Sequence, residues 1–223
     1  MKKITLLALA IVLYSFTAFA GDAAAFVDLG FSEDSKTYIF AQYGKTDRTF
    51  NPYAEIYTID VEKNVYVKGE VYKTSDKDTS KSGKEVYESL YAKKYLSLNK
   101  YNAKKSSADN LIYASVDEEK KPEEEIVFKD IGSDTNEEYT IKLVPGFFGD
   151  SSSFYIDLEI SSDSGKKSYV VGTPDLKRKN VVGYRIIRIM RDETKKYLVF
   201  VVEKKIEDKD GVSIRYMVET VKL

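Results

Sequence analysis

The chain has 223 residues, 35 basic against 36 acidic side chains, a formal net charge of −1, and neither histidine nor cysteine. That balance lacks the basic stripe that nucleic acid requires and the polybasic segment that holds proteins to anionic lipid. Missing histidine removes Ser-His-Asp and Cys-His nucleophiles, most zinc sites and the commonest general base, so composition argues against an enzyme.

Lys2 and Lys3 precede an apolar run from Ile4 to Phe19 that closes on Ala18-Phe19-Ala20 before Gly21. A positive start, an apolar stretch and an A-x-A end make residues 1–20 a signal peptide, cleaved after Ala20. The run is shorter than a membrane-spanning helix needs, so no anchor is expected after cleavage, and the destination is the periplasm or the exterior. Removing the leader takes 35 basic residues to 33 against 36 acidic ones. The exported chain reaches a compartment that permits disulfides and uses none.

Most of the chain beyond the leader reads as strands. Segments near 37–43 and 54–61 come first, then Val65, Val67 and Val71, which alternate with polar residues as on a half-buried strand. Residues 83–101 break the pattern: Val86, Leu90, Tyr91, Tyr95 and Leu98 recur at three- and four-residue steps, as on an amphipathic helix with its stripe toward the core. Solvated stretches flank it at 73–82 and 102–110. Further strands are expected near 111–116 and 125–129, separated by the charged run Asp117–Glu125, a solvated loop broken by Pro122. Another strand is expected at 138–144.

Pro145-Gly-Phe147-Phe148-Gly-Asp150 reads as a loop. Adjacent rings in an irregular loop cannot easily both be buried, so Phe147 and Phe148 are the candidate partner-binding residues. The competing expectation is a compact loop that folds both rings onto the core.

Phe154, Ile156, Leu158 and Ile160 alternate with Tyr155, Asp157 and Glu159 on the next strand. Asp157 and Glu159 therefore share a face, with carboxylates about 6–7 Å apart. That is close to the separation an inverting glycoside hydrolase uses, and it makes them the alternative acid pair. Strands near 167–172 and 183–190 lead to Tyr197–Val202, apolar on both faces and so expected at the centre of a sheet. Asp208-Lys-Asp210-Gly211 starts like a calcium loop but lacks the remaining ligands, and it reads as the turn into a last strand at 212–222. No metal site and no cofactor motif is read from the chain. Eighteen tyrosines could form a stacking surface, although tyrosine is also a good strand former.

A weak repeat joins the two ends. Asp34 to Phe40 parallels Asp192 to Phe200 if an insertion is allowed, and each is succeeded by a second apolar strand.

Two resemblances add to this. Phe31-Ser-Glu-Asp-Ser-Lys36, Tyr38-Ile-Phe40 and Glu55–Asn64 resemble one blade of a TolB-type β-propeller, across about residues 31–67. Glu33 and Ser35 stand where that repeat has Pro and Gly. More broadly, Gly21–Ser32, Phe40–Gly44, Tyr53–Asn64 and Ile214–Thr220 resemble a family of bacterial predicted secreted proteins with no assigned function. That resemblance implies export and a single domain, and it brings no catalytic residue with it.

The expected architecture is mainly β: a single domain over 21–223 of antiparallel sheets, propeller-like or sandwich in type, with one long helix at about 83–101. The expected role is non-catalytic, binding another envelope protein or a cell-surface polymer. The alternative is a carboxylate-dependent hydrolase acting on envelope glycans.

Overall fold

The computed structural model describes residues 22–115, 125–130, 135–209 and 211–223. The leader, the charged run through Glu124 and Asp210 lie outside the described residues.

In chain order, a short β1 (Asp22–Ala23) precedes β2 (Ala25–Phe31), β3 (Thr37–Lys45), β4 (Pro52–Asp60) and β5 (Val65–Ser75). The helix α1 (Gly83–Asn99) and a 3₁₀ turn (Ala108–Asn110) lead to β6 (Leu111–Ala114), β7 (Ile126–Lys129), β8 (Glu138–Phe148) and β9 (Ser151–Ser162). Then come β10 (Gly165–Val171), β11 (Arg178–Lys179), β12 (Val181–Arg191), β13 (Tyr197–Asp208) and β14 (Gly211–Lys222). They form three sheets: β2-β3-β4-β5, β10-β9-β8-β7 with β11 beside β9, and β1-β14-β13-β12-β6. Every pairing is antiparallel except β1 with β14.

The sheets stack because three strands carry apolar side chains on both faces. In β13, Leu198, Phe200 and Val202 pack on Ile141, Leu143, Phe154, Ile156 and Leu158 of the β7–β10 sheet. The alternate residues Tyr197, Val199 and Val201 pack on Tyr38, Phe40, Tyr57 and Ile59 of the N-terminal sheet. β3 and β4 repeat the arrangement one layer out, with Ile39, Ala41, Ala54 and Ile56 turned to Val86, Leu90 and Leu98 of α1. The order through the molecule is therefore sheet, central sheet, sheet, helix. Each fully buried Phe, Leu or Val adds about 1.5–3 kcal/mol of apolar burial.

Local chemistry sets the helix ends. Ser82 Oγ accepts from Glu85 N at 3.2 Å while Glu85 Oε2 accepts from Ser82 N at 2.6 Å, which closes a capping box. A Cβ on Gly83 would stand 2.5 Å from the Gly44 carbonyl oxygen, so only glycine lets α1 start this close to β3.

Two expectations need correction. Tyr95 is 48% exposed, not turned to the core. At about 100° per residue it lies some 180° around the helix from Val86. It ends a row of rings, Tyr43–Tyr87–Tyr91–Tyr95, with centroids 5.5, 6.0 and 6.4 Å apart.

On β5, Val65 is 51% exposed, because the alternation breaks at a bulge. Tyr57 pairs with Val71 and Ile59 with Tyr66, which sets residues 67–70 against Thr58, and Gly69 takes φ +81. The bulge turns Glu70 inward, where it accepts from Tyr101 Oη at 2.6 Å and pairs with Lys100, the residue that caps α1.

The repeat is present in a different register from the one the sequence suggests. Between β2 and β3, Ser32 N donates to Thr37 O at 2.8 Å and Ser35 N to Ser32 O at 2.9 Å, with Ser35 at φ +58. Between β12 and β13, Asp192 N donates to Tyr197 O at 3.1 Å and Lys195 N to Asp192 O at 3.0 Å, with Lys195 also at φ +58. Ser32 therefore aligns with Asp192 and Phe40 with Phe200, and no insertion is needed.

Candidate functional site

Phe147 and Phe148 are not in a loop. They end β8, where Phe147 pairs with Ser152 and Phe148 with Ser151, and Gly149-Asp150 is the intervening two-residue turn. Gly149 at φ +64 supplies the left-handed conformation such a turn asks of its first residue. Strand side chains alternate faces, so at most one of two adjacent rings can turn to the core. At this tip neither does: Phe147 is 55% and Phe148 52% exposed. Beside them, Lys177 Nζ stands 4.8 Å from the centre of the Phe148 ring. The tip is an apolar wedge with an adjacent cation.

Asp157 and Glu159 project from the solvent face of β9, across from Lys142 and Thr140 of β8 and Val170 and Ser168 of β10. They line a shallow depression of about 400 Å³. Glu159 pairs with Lys166 Nζ at 2.5 Å. The structure thus brings the two acids together on a flat sheet face, with one already committed to a lysine.

Asp208 pairs in register with Gly211, the first residue of β14, which has φ +110. Among the described residues no cluster of metal-ligating side chains occurs.

A third place escaped sequence reasoning. Where the open edge of β14 meets the face of the N-terminal sheet, side chains replace missing strand pairing: Gln42 Oε1 accepts from Tyr216 N at 2.7 Å and Asn64 Oδ1 from Thr220 N at 2.8 Å. Around this edge charged groups gather from all three sheets. Glu55 pairs with Lys73 at 3.1 Å and accepts from Tyr57 Oη at 2.5 Å and Gln42 Nε2 at 2.6 Å. Burial pushes its carboxyl up, but the Tyr57 hydroxyl and Lys73 outweigh that and hold it below the ordinary value. Arg178 pairs with Glu219 at 3.2 Å and lies over the Phe154 ring. Burial raises the Glu219 carboxyl more than Asn64, Arg178 and Lys204 lower it. Arg215 pairs with Asp22 and stacks on Tyr53 at 4.2 Å.

Lys204 sits directly across from Arg215 on β13. Burial and the nearby Arg178 bring its ammonium down to about 8. No pattern in the chain marks Lys204, since a lysine in a polar strand end reads as solvated. Only the packing of the sheets brings these cations together.

These features define a β-sheet stack with one covering helix, a surface hairpin wedge and a charged junction between sheets. A family model described as predicted secreted protein (DUF2259) matches residues 39–222, and the chain belongs to that family. Neither the curated proteins nor the solved structures include a match to the chain. The blade resemblance near 31–67 is not confirmed by these comparisons. Among the described residues no helix is long and apolar enough to cross a membrane.

Proposed function

We propose that this predicted secreted protein is a non-catalytic binding module of the bacterial envelope, and that the β8–β9 hairpin tip contacts its partner. The observation that carries the reading is the exposure of both Phe147 and Phe148 on one rigid hairpin. Large exposed rings supply the anchors on which interface energy concentrates once a partner covers them. The partner is another envelope protein, or a cell-surface polymer with apolar faces. Crosslinking pull-down from the native envelope should recover it with the parent chain and lose it with Phe147→Ala/Phe148→Ala. Undiminished recovery with that variant would sink this assignment.

Export completes the proposal. Asp22 is buried, pairs with Arg215 and accepts from Tyr53 Oη at 3.1 Å. Cleavage after Ala20 leaves that anchor in the mature chain. Mass spectrometry of the exported protein should find Gly21 at its N-terminus.

The hydrolase alternative has the depression beside Asp157 and Glu159 in its favour. Glycan hydrolysis that disappears in Asp157→Asn and Glu159→Gln would establish it in place of the binding role.

A further inference from the structure

At the junction of the three sheets, Lys73 from β5, Arg178 from β11, and Lys204 and Arg215 from β13 and β14 approach one another. Three of these cations have a carboxylate: Glu55 for Lys73, Glu219 for Arg178 and Asp22 for Arg215. The Lys204 ammonium forms no hydrogen bond or ion pair with any described residue. The charged groups that act on it are the cations Arg178, Lys73 and Arg215 and two carboxylates: Glu55, whose oxygens are already taken by Tyr57, Gln42 and Lys73, and Glu219, whose oxygens are taken by Arg178 and Asn64. Like charges directly opposite on paired strands destabilise a sheet, and Lys204 faces Arg215 in that way. A half-buried cation with no carboxylate of its own is costly to keep unless something pairs with it. The junction is open on the β5 side, where the Lys73 side chain is 56% and Tyr66 45% exposed.

We propose that this junction receives an oxyanion, the carboxylate or phosphate group of a ligand, with Lys204 as its principal counter-charge and Lys73 at the entrance. The bound group supplies the fourth negative charge that the cluster lacks. Arg178 and Arg215 stay on their carboxylates and contribute field rather than direct contacts. This site is independent of the hairpin tip.

The test uses the mature protein at pH 7, with inorganic phosphate and acetate as probes against sodium chloride at equal ionic strength. At a free concentration ten times Kd, the effective probe should raise Tm by about 3–5 °C over the chloride control. Which probe acts tells phosphate from carboxylate. Lys204→Met should lose the response, Lys204→Arg should keep it, and Lys84→Met, on the exposed side of α1, should leave it unchanged. In protein carrying ¹³C-methylated lysines, the Lys204 resonance should titrate at higher pH when the probe is present. A response to both probes no larger than to chloride, or one that survives Lys204→Met, overturns the proposal. Loss of the response in Phe148→Ala would also count against it, because the two sites share no residue.

Discussion

The two β-meanders at the ends of the chain, β2–β4 and β12–β14, share a turn but differ in how they satisfy it and in what covers them. In the first, the work is divided: Ser32 Oγ accepts from Thr37 N at 2.9 Å, and Asp34 Oδ1 accepts from Lys36 N at 3.1 Å. In the second, one buried carboxylate does all of it. Asp192 accepts from Thr194 N, Lys196 N and Tyr197 N at 2.9, 2.8 and 2.7 Å, and from the Thr194 hydroxyl. The same backbone can therefore be held by different residues at different positions. Matching aspartate to aspartate aligns the repeat out of step, whereas the backbone hydrogen bonds align Ser32 with Asp192. The covering layers differ too: β3 turns its outer face to a helix, and β13 turns its own to another sheet.

The sharpest test of this pairing lies in the two phenylalanines that the repeat superposes. Phe40 and Phe200 are both fully buried, and truncating either to Ala should cost about 3–5 kcal/mol in urea unfolding. Both rings lie between sheets, Phe40 against the central sheet and Phe200 against the β7–β10 sheet. A much smaller loss at Phe40 would therefore mean that the outer N-terminal sheet relaxes around a cavity where the central one cannot.

The turns should separate next. Asp192→Ala orphans several backbone donors beneath the surface and should cost about 2–4 kcal/mol, against about 1–2 kcal/mol for Ser32→Ala. Equal losses would show that the concentrated and the divided turn are energetically the same.

The junction beside the C-terminal meander predicts a pH dependence. The Lys204 ammonium is brought from the usual 10.5 to about 8 by burial and its cationic neighbours. Between those values the unfolded chain binds more protons than the folded one, so stability rises with pH across the window, and the full penalty applies below it. Lys204→Met should flatten that slope and exceed the parent at pH 7 by up to about 3 kcal/mol. Above about pH 10 the buried tyrosines act in the opposite direction. Burial raises Tyr38, Tyr53 and Tyr57, so the folded state holds protons that the unfolded state has released, and stability falls again. Chemical denaturation from pH 6 to 11 checks both limbs.

The smallest effect belongs to the hairpin tip. Phe147→Ala and Phe148→Ala should each change folding stability by less than about 0.5 kcal/mol, because neither ring is buried. A melt several degrees below the parent would return those rings to the core and remove the tip from consideration as a contact.

Elements with a strong local period were legible in the amino-acid sequence alone. Phe154 to Ile160 alternate as a strand must, and all four apolar residues are buried. The capped helix falls at Gly83–Asn99 against the expected 83–101, and the two-faced apolar run at Tyr197 lies in the middle strand of its sheet. These features can be read early because alternation, capping and hairpin turns act between residues a few positions apart. Long-range packing settled the remainder. The bulge that reverses Val65 and buries Glu70 brings that carboxylate to Lys100 and Tyr101, beyond the helix. The convergence of Lys73, Arg178, Lys204 and Arg215 depends on how three sheets stack, which no local pattern encodes. Strand pairing is written in neighbouring residues, whereas sheet packing is set by apolar faces contributed from distant parts of the chain, and the charges at their junction arrive as a consequence.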